Sequence, residues 1–115
     1  MKKSDFFRIA GAALVLWSMA AGAAEVKGDA SAGKAKSSMC AGCHSIPGYK
    51  TAFPMVYSVP KLDGQHPAYI VSALRAYKSG ERRHPSMRAI AASLSDQDMA
   101  DLAAFYSGQM QQAAR

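Results

Sequence analysis

A chain of 115 residues, half of them apolar and carrying a formal net charge of +6, has the size of one domain. Its lysines and arginines are scattered rather than gathered into a stripe, which argues against a nucleic-acid partner. The two cysteines are too few for a disulfide framework or a closed four-cysteine zinc site.

The first residues read as an export signal. Lys2, Lys3 and Arg8 make a positive start, and Ile9 to Ala21 is a short apolar run containing Leu14, Val15, Leu16 and Trp17. Ala21-Gly22-Ala23 then offers an A-x-A cleavage site. Residues 1–23 are expected to be removed by a cut after Ala23 or Ala24, leaving 24–115 as the working domain. That cut also removes Asp5 and brings the formal charge to +4. The run is too short for a comfortable membrane span, so no span is expected after cleavage. An uncleaved N-terminal anchor is the alternative.

Asp29 is a good N-cap for a first helix over about Ala30 to Met39. Gly33 sits inside it. An interior glycine costs about 1 kcal/mol against alanine, which hints at close contact with another helix.

Cys40-Ala41-Gly42-Cys43-His44 follows, the C-x-x-C-H attachment signature of a c-type haem. Thiols three positions apart can each add to one vinyl group of the same porphyrin, and His44 then lies under the iron as proximal ligand. The alternatives are a redox C-x-x-C pair or half of a zinc site. A redox pair would sit in a βαβ pattern, which is not visible here. A haem would also give this small chain an apolar plate to pack against.

Ser45 to Val59 reads as a long irregular stretch, broken by Pro47, Gly48 and Pro54. Loops this long in small domains are often functional, and Tyr49, Phe53 and Tyr57 either cover a haem edge or pack within the loop. Pro60 to Gln65 reads as a turn. Pro67 opens a second helix to about Ser79, with Tyr69, Ile70, Ala73, Leu74 and Tyr77 as its apolar stripe and Gly80 as its C-cap. Glu81 to Pro85 is a basic turn, and Pro85 disfavours helix just before it. A short helix is expected over Met87 to Ser93. Ser95-Asp96-Gln97-Asp98 has capping-box spacing and opens a last helix to about Ser107, closed by Gly108. Met99, Leu102, Phe105 and Tyr106 line its buried side, and a frayed tail is expected beyond it. No stretch alternates as a strand, so the class is all-α: three main helices, a short helix and long loops wrapped around one haem.

The C-x-x-C-H, Pro60-x-Leu62-x-Gly64-Gln65, Gly80-x-Arg82, His84-Pro85-Ser86-Met87 and Leu94 to Asp98 leading into Leu102-Ala103-Ala104-Phe105 together resemble a class I c-type cytochrome. The similarity is to the small bacterial kind that also forms the halves of periplasmic dihaem cytochromes, and it covers about residues 28–107. It implies one covalently attached haem c on Cys40 and Cys43, with iron held by His44 and a methionine. Pro60 resembles the proline whose carbonyl accepts the proximal histidine's ring N–H. Leu62 resembles the leucine packed on the haem. Gly33 and Phe105 resemble the pair where first and last helices cross. Arg82 resembles a basic residue near the second axial ligand and close to a propionate. The chain departs from the family at His84 and Ser86, where Asn and Met are common, and in the stretch 45–59.

For the second axial ligand, the expected mature chain offers five methionines and two further histidines. Met39 is tied to the proximal side, Met99 reads as core, and Met110 lies in the tail. Met55 could reach by chain length, and His66 reads as a surface or capping residue. His84 is a competitor, because bis-His haems are common. Met87 stands at the family's position.

The resemblance implies a periplasmic electron carrier rather than an enzyme, because two axial ligands leave no open site for substrate. Its partners would be redox proteins, such as a quinol-oxidising membrane complex, a terminal oxidase or a periplasmic dehydrogenase, with the chain a monomer or weak dimer. The alternatives are a haem subunit of a larger periplasmic oxidoreductase, or a sensor or peroxidase-like protein with an open distal site.

Overall fold

The computed structural model describes residues 25–53 and 55–113. The expected signal segment 1–23 and its cleavage site lie outside the described residues.

Two short helices come first, α1 (Ala30–Lys36) and α2 (Ser38–His44). Asp29 caps α1 as expected, its carboxylate accepting from the amides of Ser31 and Ala32. The first helix does not run unbroken to Met39. At Ser37 both the amide and the hydroxyl bond to the carbonyl of Lys34. A serine that takes a main-chain carbonyl in this way competes with the helical ladder, and the chain restarts as α2.

The stretch 45–59 is not wholly irregular. Two-residue strands β1 (Lys50–Thr51) and β2 (Tyr57–Ser58) pair antiparallel, Lys50 opposite Ser58 and Thr51 opposite Tyr57. The Thr51 hydroxyl donates to the Met55 carbonyl and accepts from the Tyr57 amide, closing the hairpin tip. So short a ladder leaves no alternation to read.

α3 (Pro67–Ser79) has the expected bounds, with Pro67 in the first turn and Gly80 left-handed at φ 86°. α4 (Pro85–Ala92) starts two residues earlier than expected, because Pro85 itself occupies the first helical position, where its missing N–H costs nothing. α5 (Asp96–Ala113) opens on the capping box: the Asp98 carboxylate accepts from the Ser95 amide and hydroxyl, and the Ser95 hydroxyl accepts from the Asp98 amide. The expected stop at Gly108 and frayed tail are corrected here, since the helix passes through Gly108 to Ala113.

The core is one cluster of Ile70, Leu74, Leu94, Met99, Leu102, Ala103 and Tyr106, contributed mainly by α3 and α5. Tyr69, expected in the apolar stripe of α3, instead points out and is 52% exposed. Gly28, just before α1, and Gly33, within it, bring the chain against the backbone of α5. A Cβ on Gly28 would stand 2.0 Å from the Ala100 carbonyl oxygen and 3.0 Å from the Ala104 Cβ. Asp101 is the buried polar group at this crossing. Its carboxylate accepts from the Asp29 amide, the Lys36 ammonium and the Gln97 side-chain amide at 2.7–2.8 Å. The Lys36 ammonium also pairs with Asp98 at 2.7 Å.

Candidate functional site

α2 carries the whole C-x-x-C-H motif. Residues at i and i+3 share a helix face, so Cys40 and Cys43 lie on one side of a single turn, and both are free thiols. His44 is the last residue of the helix, and its imidazole reaches back to the turn that follows the hairpin. His44 Nδ1 lies 2.7 Å from the Pro60 carbonyl oxygen. A carbonyl only accepts, so Nδ1 carries the proton and Nε2 is the nitrogen left with a lone pair. The turn itself is pinned to α5 by the Gly64 amide, which donates to the Tyr106 carbonyl at 2.9 Å.

Cys40 (α2), Leu62 (the turn), Val71 (α3), Met87 and Ile90 (α4) and Phe105 (α5) are partly buried and pack against the one core cluster. Ile46, Phe53, Met55 and Val56 of the stretch 45–59 are exposed, Phe53 at 88%. So much uncovered apolar side chain beside a small core suits a large apolar group laid on the core's edge. The residues present therefore fit a haem: two thiols on one turn, an oriented imidazole, and half-buried apolar side chains.

Burial pushes the Cys40 thiol up, partly offset by its hydrogen bond with the Tyr106 phenol. Burial also pushes the Tyr106 phenol up. Both are protonated at neutral pH. A redox C-x-x-C pair needs the opposite, a thiol lowered toward thiolate. Among the described residues no three His, Cys, Asp or Glu gather to hold a metal ion, so no partner ligands complete a zinc half-site.

Met87 is partly buried in the first turn of α4, its amide donating to His84 Nδ1 at 3.2 Å. His84 is the N-cap of α4, and its ring lies against Tyr57, centroids 4.3 Å apart at 52°. Met55 is 62% exposed at the hairpin tip. His66 is the N-cap residue of α3 but makes no side-chain capping bond. Met99 is fully buried in the core. Arg82 is exposed; its guanidinium lies 4.6 Å over the Tyr77 ring and donates to the Tyr69 hydroxyl at 3.5 Å. Arg82, Arg83 and Arg88 line one open pocket with Gly80, His84 and Pro85. Sequence reasoning missed Asp101 and the Tyr57–His84 pair. The signal for Asp101 was a carboxylate set among the core residues Met99, Leu102 and Ala103.

The family profile described as cytochrome c matches residues 30–107. The chain is similar to cytochrome c-554(548) of Halomonas halodenitrificans, 41% identical over 85 residues that cover 71% of this chain and 98% of that protein. It is similar to cytochrome c4 of Pseudomonas aeruginosa, 39% identical over 88 residues, 76% of this chain and 42% of the relative. Cytochrome c4 of Thiocapsa roseopersicina is 42% identical over 88 residues, 76% of this chain and 43% of the relative. The chain thus spans under half the length of these cytochrome c4 relatives, whereas its match covers nearly all of cytochrome c-554(548).

Proposed function

The chain belongs to the cytochrome c family, whose cofactor is a covalently bound haem c with its iron, and on that premise we propose that it is a periplasmic carrier of single electrons. Cys40 and Cys43 would hold the haem through thioether bonds, and His44 Nε2 and the Met87 sulfur would ligate its iron. The observation that carries this reading is the 2.7 Å contact between His44 Nδ1 and the Pro60 carbonyl. It fixes the ring's tautomer and aims Nε2 away from the backbone, and the hydrogen bond makes the imidazole a better donor to the iron. Leu62, half-buried against the core, would pack on the haem, and Arg82 would stand near a propionate.

When bound, the haem supplies a one-electron iron couple. The chain's own residues set its behaviour. A neutral thioether favours the ferrous state, so His/Met ligation raises the potential relative to bis-His. Leu62, Met87 and Ile90 are half-buried against the core cluster and would shield a bound haem from water there. With His44 and Met87 both holding the iron, no site would be left open for substrate, and the protein would act by transferring electrons to and from redox partners rather than as an enzyme. The export signal at 1–23 supports a periplasmic location, and no described helix is long and apolar enough to cross a membrane.

The test is the mass and ligand behaviour of the protein purified from cells able to mature c-type cytochromes. The expected mass is the cleaved polypeptide plus one haem that stays bound in acidified acetone, and the reduced protein does not bind carbon monoxide at neutral pH. A bare polypeptide mass, or ready carbon monoxide binding, contradicts the reading.

A further inference from the structure

The segment after the C-x-x-C-H motif touches both His44 and His84, the N-cap of the helix that bears Met87. It leaves His44 directly, and it returns as Pro60, whose carbonyl holds the His44 ring. Between those ends lies the β1–β2 hairpin. The Thr51 hydroxyl locks the Tyr57 amide at 3.1 Å, and the Val59 amide bonds to the Tyr49 carbonyl at 2.9 Å. Tyr57 is thereby held in place, and its ring lies 4.3 Å from that of His84. His84 in turn accepts the Met87 amide on Nδ1 at 3.2 Å.

The geometry points to His84 as a positioning residue for Met87, clamped by Tyr57. This rests on the reading of Met87 as the sixth ligand. Pro85 denies α4 one amide, and the first helical hydrogen bond runs from the Arg88 amide to the His84 carbonyl. The Met87 amide is thus an N-terminal orphan with no carbonyl partner inside the helix. The His84 imidazole satisfies it, in the role that Asp, Asn, Ser or Thr fills at most helix starts. An imidazole is bulkier than those side chains and is a poor cap unless its ring is fixed. Tyr57 fixes it. With Nδ1 accepting, the ring proton sits on Nε2. The hairpin segment therefore connects the two proposed iron ligands: the Pro60 carbonyl orients His44, and the Tyr57 ring orients His84, which orients the first turn bearing Met87. The two residues are specific to each other, since an asparagine cap needs no aromatic lid.

The experiment uses the holoprotein with His84→Ala, His84→Asn, Tyr57→Ala and the His84→Asn/Tyr57→Ala double variant. The readouts are the weak far-red absorption band of a ferric iron–methionine bond and carbon monoxide binding by the reduced protein. His84→Ala and Tyr57→Ala are expected to weaken the band and to raise the carbon-monoxide-accessible fraction about fivefold, the roughly 1 kcal/mol that a lost N-cap costs. His84→Asn restores the cap and stays close to wild type, and adding Tyr57→Ala to it changes nothing further. Wild-type behaviour in His84→Ala, an asparagine variant as impaired as alanine, or a Tyr57→Ala effect of the same size on the asparagine background would each overturn the inference. Hydrogen exchange on the wild-type holoprotein reads the same contact without any variant. The Met87 amide should be protected relative to that of Ser86, and equal exchange would also overturn it. If Met87 were not the ligand, the wild type would lack the far-red band and Met87→Ala would leave the spectrum unchanged, a result distinct from every outcome above.

Discussion

A Cβ placed on Gly33 would stand 2.0 Å from the carbonyl oxygen of Asp101 and 2.8 Å from the Cβ of Phe105. α1 and α5 therefore meet backbone to backbone, and the obstacle is a main-chain carbonyl that cannot swing aside. In an open helix, Gly→Ala stabilises by up to about 1 kcal/mol. Here Gly33→Ala must force the helices apart, and overpacking of this kind costs about 1–3 kcal/mol. For a domain this small, each 1 kcal/mol lowers the melting temperature by about 4–8 °C. Gly108 provides the contrast, because nothing stands within 4 Å of its Cβ position inside α5. Gly108→Ala is expected to raise the melting temperature of the holoprotein while Gly33→Ala lowers it.

The buried end of that crossing predicts a pH dependence. The Lys36 ammonium, the Asp29 amide and the Gln97 amide hold the Asp101 carboxyl down at about 2, against an ordinary 3.8. Asp98 is also held well below the usual carboxylate range, chiefly by Lys36. A carboxyl with a depressed folded pKa contributes stability that is present above its unfolded value and is lost as pH falls through the folded one. Lys36 is raised above 10.5 by the same two carboxylates, so its contribution holds below that value and fades above it. The melting temperature should therefore be level in this respect from about pH 5 to 10 and fall between about pH 4 and 2. Asp101→Asn should lower the plateau and flatten the acid limb. An unchanged acid limb in that variant would show that other groups drive it.

Much of this architecture is legible in the residues, for reasons that can be named. Pro67 and Gly80 bracket α3 because one ring fixes φ and one missing Cβ permits the left-handed turn. Ser95 and Asp98 announce α5 because their side chains satisfy each other's amides. The break at Ser37 was hidden, since a serine hydroxyl competes for a carbonyl only when the surrounding fold lets the chain turn there. Gly108 looked like a stop, yet right-handed glycine is merely costly, and α5 carries on through it. At the site, the cysteines, His44 and Pro60 are local in sequence or part of a motif. The His84–Tyr57 contact joins positions 27 residues apart through a hairpin whose strands are two residues each, and no periodicity encodes that.

Charge near Met87 should govern partner encounter. Arg82, Arg83 and Arg88 share one pocket beside it, and none of them is paired with a carboxylate among the described residues. Lys50 and Lys61 add positive charge in the hairpin and the turn. An acidic redox partner would be steered to such a surface, with charge acting mainly on the association rate. The electron-transfer rate should fall as ionic strength rises from about 0.01 to 0.1 M, because the Debye length shrinks from about 30 Å to about 10 Å. Arg83→Glu should lower the low-salt rate and reduce its salt dependence. A flat or rising rate in the wild type would rule out an acidic partner.

The sixth ligand decides between a high-potential carrier and its alternatives, and replacing Met87 tests it most directly. The measurement is a redox titration of wild type, Met87→Ala, Met87→His, His84→Ala and Met55→Ala, with the ferric spectrum recorded alongside. The account predicts a far-red iron–sulfur band in the wild type that is lost in both Met87 variants. Met87→Ala should open the iron to carbon monoxide and lower the potential. Met87→His should keep six ligands and also lower the potential, within the roughly 0.8 V that axial ligands cover. Met55→Ala should leave the band in place, and His84→Ala should weaken it without abolishing it. A wild type without the band, whose iron opens on His84→Ala and not on Met87→Ala, would mean bis-His ligation and contradict the account.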